Sequence, residues 1–130
     1  MSTHTKVNLK SDIPDPAPEH GLGDVVETHF ARKPLQMTQG GLSHYTLKPN
    51  ARLPFGHTHS EQEEVYVIVS GSARVKVDDE VVDLGAWDAL RVGPGAWRGL
   101  EGGADGAEVL AFGAPDTDNK DLEMQPGWWS

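Results

Sequence analysis

His57-Thr58-His59-Ser60-Glu61-Gln62-Glu63-Glu64 runs directly into Val65-Tyr66-Val67-Ile68-Val69-Ser70-Gly71. Side chains alternate across an extended backbone, so His57 and His59 share one face. A carboxylate five residues on can return to that face once the chain bends into the apolar strand. Two neutral imidazoles and one carboxylate, with coordination positions left open, suit a divalent transition metal. His57, His59 and Glu64 are therefore the candidate ligands, with Glu63 as the rival carboxylate. Val65–Val69 is apolar on both faces, which predicts cover from the interior and from a second layer.

Working outward, the chain reads as short apolar runs broken by turn residues. Val25–Phe30, Leu42–Leu47, Val65–Val69, Ala73–Val77, Val81–Leu84, Ala89–Val92 and Val109–Phe112 read as strands. Lys48-Pro49-Asn50, Ser70-Gly71-Ser72, Asp78-Asp79-Glu80, Gly93-Pro94-Gly95 and Gly102-Gly103 read as the turns between them. Regular short strands with frequent turns indicate an all-β sandwich or barrel. Helical periodicity is absent, apart from a possible short turn of helix over Asp116–Met124. Before the strands, residues 1–23 carry Pro14, Pro16 and Pro18, which reads as an extended arm without regular structure. The expected division is an arm over 1–23, a barrel over 24–115 and a tail over 116–130.

The bulk numbers narrow the function classes. The 130 residues carry a net charge of -9, which opposes phosphate backbones and anionic lipid. Neither nucleic acid nor membrane is expected as a partner. Cysteine is absent, so disulfides, thiolate catalysis and cysteine metal sites are excluded. No apolar run has the length of a signal peptide or a membrane span, and a cytoplasmic setting is expected.

The run Gly56-His57-Thr58-His59, four residues, Glu64, six residues, Gly71 resembles the first motif of the cupin superfamily, including the strand between Glu64 and Gly71. The resemblance covers about residues 40 to 113. It implies a small jelly-roll β-barrel with a metal (Fe, Mn, Ni or Zn) held inside by His57, His59 and Glu64. The second motif departs from the family pattern over Trp87 to Gly102. Gly95 keeps its place, Pro94 is shifted by one, and Arg98 stands where the fourth ligand, a histidine, is usual. A guanidinium stays protonated and cannot coordinate a metal.

Arg98 then reads either as a clamp on an anionic ligand or as an ion-pair partner of Glu64, Asp88 or Glu101. Tyr66 would face the cavity beside Glu64, either as a substrate-binding phenol or as a core aromatic. The Glu64-x-Tyr66 pair resembles that of cupin lyases acting on dimethylsulfoniopropionate. His44 is a possible substitute ligand. Trp87 and Trp97 bracket the altered motif and are expected near the cavity mouth or in a core, while Trp128-Trp129 should dock a tail. The function expected is a metal cupin acting on a small, anionic molecule by dioxygenase, isomerase or lyase chemistry. A binding module without metal and a purely structural barrel are the alternatives. Apolar surface in excess of one small barrel predicts a homodimer.

Overall fold

A computed structural model describes residues 3–130. The chain is an all-β barrel of jelly-roll type: β1 Val26–Phe30, β2 Gly41–Leu47, β3 Phe55–His59, β4 Glu63–Val77, β5 Glu80–Gly85, β6 Ala89–Val92, β7 Trp97–Ala114 and β8 Leu122–Pro126. All pairings are antiparallel. One path runs β1-β2-β7-β3-β8, and β4 pairs with β5, β6 and β7. The long strands β4 and β7 form the spine of the curl.

That spine explains two differences from the sequence reading. Ser70-Gly71-Ser72 and Gly102-Gly103 are not turns but lie inside β4 and β7. The β4–β7 register slips between Ile68 and Ser70 and again between Gly71 and Ala73, so the strand bends without reversing. Gly71, at φ 76°, sits where a Cβ would lie 2.1 Å from the Gly106 carbonyl oxygen. At Gly102 a Cβ would meet the Lys48 carbonyl oxygen at 2.4 Å. These glycines serve backbone approach in the bend rather than chain reversal. The Asp78-Asp79 hairpin between β4 and β5 forms as read, with Val77 opposite Glu80.

Inward residues alternate as a barrel requires. Val26, Leu47, Tyr66, Ile68, Val75, Val92 and Val109 are almost wholly buried. On the outer face of β4, Val65, Val67 and Val69 are half-buried. The arm supplies part of their second layer, since Val7–Lys10 line a groove with Val69, His44, Glu108 and Leu110.

The arm is pinned rather than free. Asp15 accepts from Thr28 N, Thr28 Oγ1 and Ala17 N. His29 Nδ1 donates to the Ile13 carbonyl at 2.7 Å, and Lys10 pairs with Glu108 at 2.7 Å. It also contains a 3₁₀ turn, Ala17–His20, which the sequence reading lacked. Proline is tolerated in a first helical turn, and left-handed Gly21 closes this one, its amide donating to the Pro18 carbonyl while the Leu22 amide donates to that of Ala17. A second single turn, α1 Arg32–Leu35, follows β1.

The chain end differs most. Over Asp116–Met124 there is no helix. Asp118 and Asn119 take left-handed φ values of 52° and 58°, which a right-handed helix excludes. The chain then enters β8, which pairs with β3 from Phe55↔Pro126 to His59↔Leu122. Residues 116–130 thus give the barrel its eighth strand. Among the described residues no helix is long and apolar enough to cross a membrane.

Candidate metal centre

β3 and the start of β4 bring His57, His59 and Glu64 together. Their candidate ligand atoms all lie within 4.8 Å of one another. The two imidazoles stand edge to face, with centroids 5.2 Å apart. His57 Nε2 is 3.6 Å from Glu64 Oε1. The set is two imidazole nitrogens and one carboxylate on a cavity wall, which fits a divalent transition ion. Glu63 points away, exposed and paired with Arg91 at 3.3 Å.

Glu64 is held by its neighbours. The Tyr66 hydroxyl donates to Oε1, and Arg98 Nη2 donates to the same oxygen at 3.3 Å. Burial opposes ionisation of Glu64, but hydrogen bonds from His57 and Tyr66 and the Arg98 charge hold its carboxyl below the usual range. Burial pushes the His57 imidazole down, helped by the Arg98 charge, and so favours the neutral form that a ligand needs. Burial raises the Tyr66 phenol, with the Glu64 charge adding to it. Tyr66 is a proton donor at neutral pH.

Arg98 lies opposite His57 in the β3–β7 ladder and is fully buried. Its donors go to Glu64, to the Tyr66 hydroxyl at 3.4 Å and to the Ala96 carbonyl at 3.0 Å. Of the three acids weighed as its partner, Glu64 is the one it meets. Glu101 takes Arg52 and Arg74 instead, and Asp88 caps Gly85.

His44 does not join the cluster. On β2, Ser43 and Tyr45 line the cavity while His44 faces the other way, bonded to Glu108 at 2.8 Å and 5.8 Å from the His29 ring. Neither Trp87 nor Trp97 lines the cavity. Trp87 sits on the β5–β6 turn, 75% exposed, and Trp97 packs against Trp128 at 6.0 Å. Trp128 seats where a Cβ on Gly56 or Gly99 would come within 2.5 Å of its indole. The tail therefore docks on its own barrel.

The sequence reading missed Asp121. Its Oδ1 lies 3.0 Å from His59 Nδ1 and 2.6 Å from Thr117 Oγ1. Its Oδ2 accepts from Glu61 N and Gln62 N. Burial opposes this carboxylate's charge, but those bonds hold it far below the usual range. No spacing rule links residue 121 to residue 59.

The cavity has a volume of about 840 Å³. Phe30, Tyr45, Leu53, Phe55, Leu100 and Met124 supply much of its wall. Thr28, Ser43, Gln62, Asn119 and the ion-paired Arg32, Asp116 and Asp118 also line it, and Lys33 and His20 stand at the exposed rim.

The family model for the cupin domain matches residues 43–112, over half of the chain. A cupin protein from Bacteroides fragilis superposes with a TM-score of 0.72 at 24% identity, covering 90% of this chain and 88% of that one. The Streptomyces nucleoside dehydratase Pac13 gives 0.67 at 15% identity, covering 78% of this chain and 79% of that one. Oxalate decarboxylase from Bacillus subtilis gives 0.73 at 20% identity, covering 95% of this chain but 33% of that longer one. At these identities the likeness is one of fold. Among curated proteins no sequence matches.

Proposed function

The chain belongs to the cupin family, and from that premise we propose a small metal-dependent cupin acting on a small acidic molecule with an apolar body. One observation carries the reading: the ligand atoms of His57, His59 and Glu64 converge within 4.8 Å on the wall of a partly open cavity. A divalent ion bound there would act as a Lewis acid toward a substrate oxygen.

The chain's own residues do the rest. Arg98 and Tyr66 both bond Glu64 Oε1, which leaves Oε2 for the ion. We therefore assign Arg98 to holding Glu64 rather than clamping substrate. Tyr66 faces the cavity and keeps its proton, so it orients the carboxylate and offers an oxygen to a bound molecule. The apolar wall excludes water and accepts an aliphatic or aromatic body far larger than a simple diacid. Lys33 at the rim has no ion-pair partner among the described residues and is placed to attract a carboxylate. Dehydration, decarboxylation and related lyase chemistry all suit such a site; the neighbours named above include a nucleoside dehydratase and an oxalate decarboxylase.

A non-catalytic binding module is the second reading, and the Arg98–Glu64 ion pair favours it, because Glu64 already has a cation. Elemental analysis and Zn2+ titration of the wild type and His59→Ala separate the two. The metal reading expects one ion per chain, lost in His59→Ala. Equal binding by both proteins would give first place to the binding module. We extend the proposal to a homodimer, formed through the outer face where Leu42, Phe112 and Val65 pair across three strands.

A further inference from the structure

We propose that Asp121 is the positioning residue that fixes the tautomer of His59, and that it links the seating of β8 to occupation of the metal site. The link rests on the metal reading above; the tautomer does not.

Asp121 lies in the bend before β8, with a side chain 3% exposed. Both oxygens are committed: Oδ1 to His59 Nδ1 and Thr117 Oγ1, Oδ2 to the Glu61 and Gln62 amides. Its backbone carbonyl also takes the Ser60 amide at 3.2 Å. The loop joining the two ligand-bearing strands, Ser60 to Gln62, therefore wraps around one residue from the far end of the chain.

An ionised carboxylate only accepts hydrogen bonds. His59 Nδ1 must then carry the imidazole hydrogen, which leaves the lone pair on Nε2. That is the nitrogen free for an ion beside His57 and Glu64. A carboxylate behind a ligating imidazole fixes ring and tautomer and raises basicity. The coupling follows from connectivity. An ion that fixes His59 also fixes Asp121, and Asp121 leads directly into the strand that pairs with Phe55–His59.

The same bonds would suit a residue that merely anchors the tail. Asp121→Asn separates the two roles. The Glu61 and Gln62 amides both need an acceptor, so the amide oxygen takes the Oδ2 place and the NH2 group takes Oδ1. The NH2 group then donates to His59 Nδ1 and Thr117 Oγ1. The variant stays satisfied and nearly isosteric, but its hydrogen bond drives the His59 hydrogen onto Nε2, where it blocks coordination.

The test uses the full chain labelled with 15N. Long-range 1H–15N spectra of the metal-free protein report the His59 tautomer, Zn2+ calorimetry reports affinity, and amide exchange reports residues 117–126. The wild type should show Nδ1–H, and Zn2+ should slow exchange over 117–126. D121N should show Nε2–H and lose about 10–100-fold in Zn2+ affinity, with metal-free melting little changed. Nε2–H in the wild type, or D121N with Nδ1–H and unchanged affinity, overturns the positioning role. Zn2+ bound by the wild type without slower exchange over 117–126 overturns the coupling. Nδ1–H together with Zn2+ binding no tighter than in His59→Ala removes the metal reading and the coupling but leaves the tautomer assignment standing. The wild-type readouts decide the matter even if D121N fails to fold.

Discussion

Arg98 stands where the resemblance to the second cupin motif leads to the expectation of a fourth histidine ligand, and its setting carries a prediction. The guanidinium neutralises Glu64 while repelling an incoming cation. Like charges about 4 Å apart interact by about 1 kcal/mol in water and about 4 kcal/mol at an effective dielectric of 20. Arg98→His should therefore destabilise the metal-free protein, because Glu64 loses its buried partner. It should also tighten Zn2+ binding by at least about tenfold, which corresponds to about 1.4 kcal/mol. Thermal melting with and without Zn2+ checks both signs at once: a lower metal-free Tm and a larger metal-induced rise. Within the site, His57 and His59 were legible because a period of two leaves them no choice of face. Glu64 was favoured over Glu63 only by the six-residue count to Gly71, because a strand apolar on both faces gives alternation nothing to choose between. The structure separates them by pairing exposed Glu63 with Arg91. Asp121 was not legible. Apart from Thr117, its partners lie about sixty positions earlier, and in sequence Asp116–Met124 offered only a short turn of helix.

Among the elements, the arm gives a pH prediction. Hydrogen bonds from Thr28 and Ala17, working against burial, hold the Asp15 carboxyl below its ordinary value of 3.8. Bonds from Lys10 and His44 hold Glu108 below its ordinary 4.5. Carboxyls lowered by folding stabilise the seated arm above their ordinary values, and the benefit is lost as pH falls through the lowered ones. The bond to Glu108 raises Lys10 above its ordinary 10.5, so that contribution is full below this value and is lost as pH rises past the raised one. Amide exchange over residues 12–17 should be slowest between roughly pH 5 and 10, after correction for intrinsic rates, and should quicken on either side. The strands from Val25 to Val92 were readable from apolar runs, except β3, whose Phe55-Gly56-His57-Thr58-His59 carries no such run. The errors fell on glycine, because a Gly that admits a neighbouring backbone looks the same in sequence as one that turns the chain. The strand β8 was hidden differently: at the sheet's edge it is mostly exposed and lacks the apolar run that marks an inner strand.

For the whole molecule, the proposed homodimer rests on the outer face. Phe112 is 47% exposed between Leu42 and Val65 in the strand register, and the arm covers only the Val69 end of that face. An aromatic anchor at the centre of an interface is worth about 2 kcal/mol or more. Wild-type protein should sediment as a dimer at micromolar concentration. Phe112→Glu should shift it to monomer without unfolding, since that side chain lies outside the barrel core. A wild type that stays monomeric would remove the homodimer from the account.

The indole of Trp128, seated on the Gly56 and Gly99 backbone, gives the molecule an optical gauge of its own chain end. Its ring lies 6.0 Å from that of Trp97 at an interplanar angle of 30°. Two chromophores that close and tilted share their excited states, which appears as a paired signal in near-ultraviolet circular dichroism. Trp87, standing in solvent on its turn, adds emission but no such pairing. Lifting Trp128 off Gly56 and Gly99 by a few ångströms would erase the couplet while the strands of the barrel stayed paired. Release and return of the chain end can thus be followed in the unlabelled protein, in real time, by light alone.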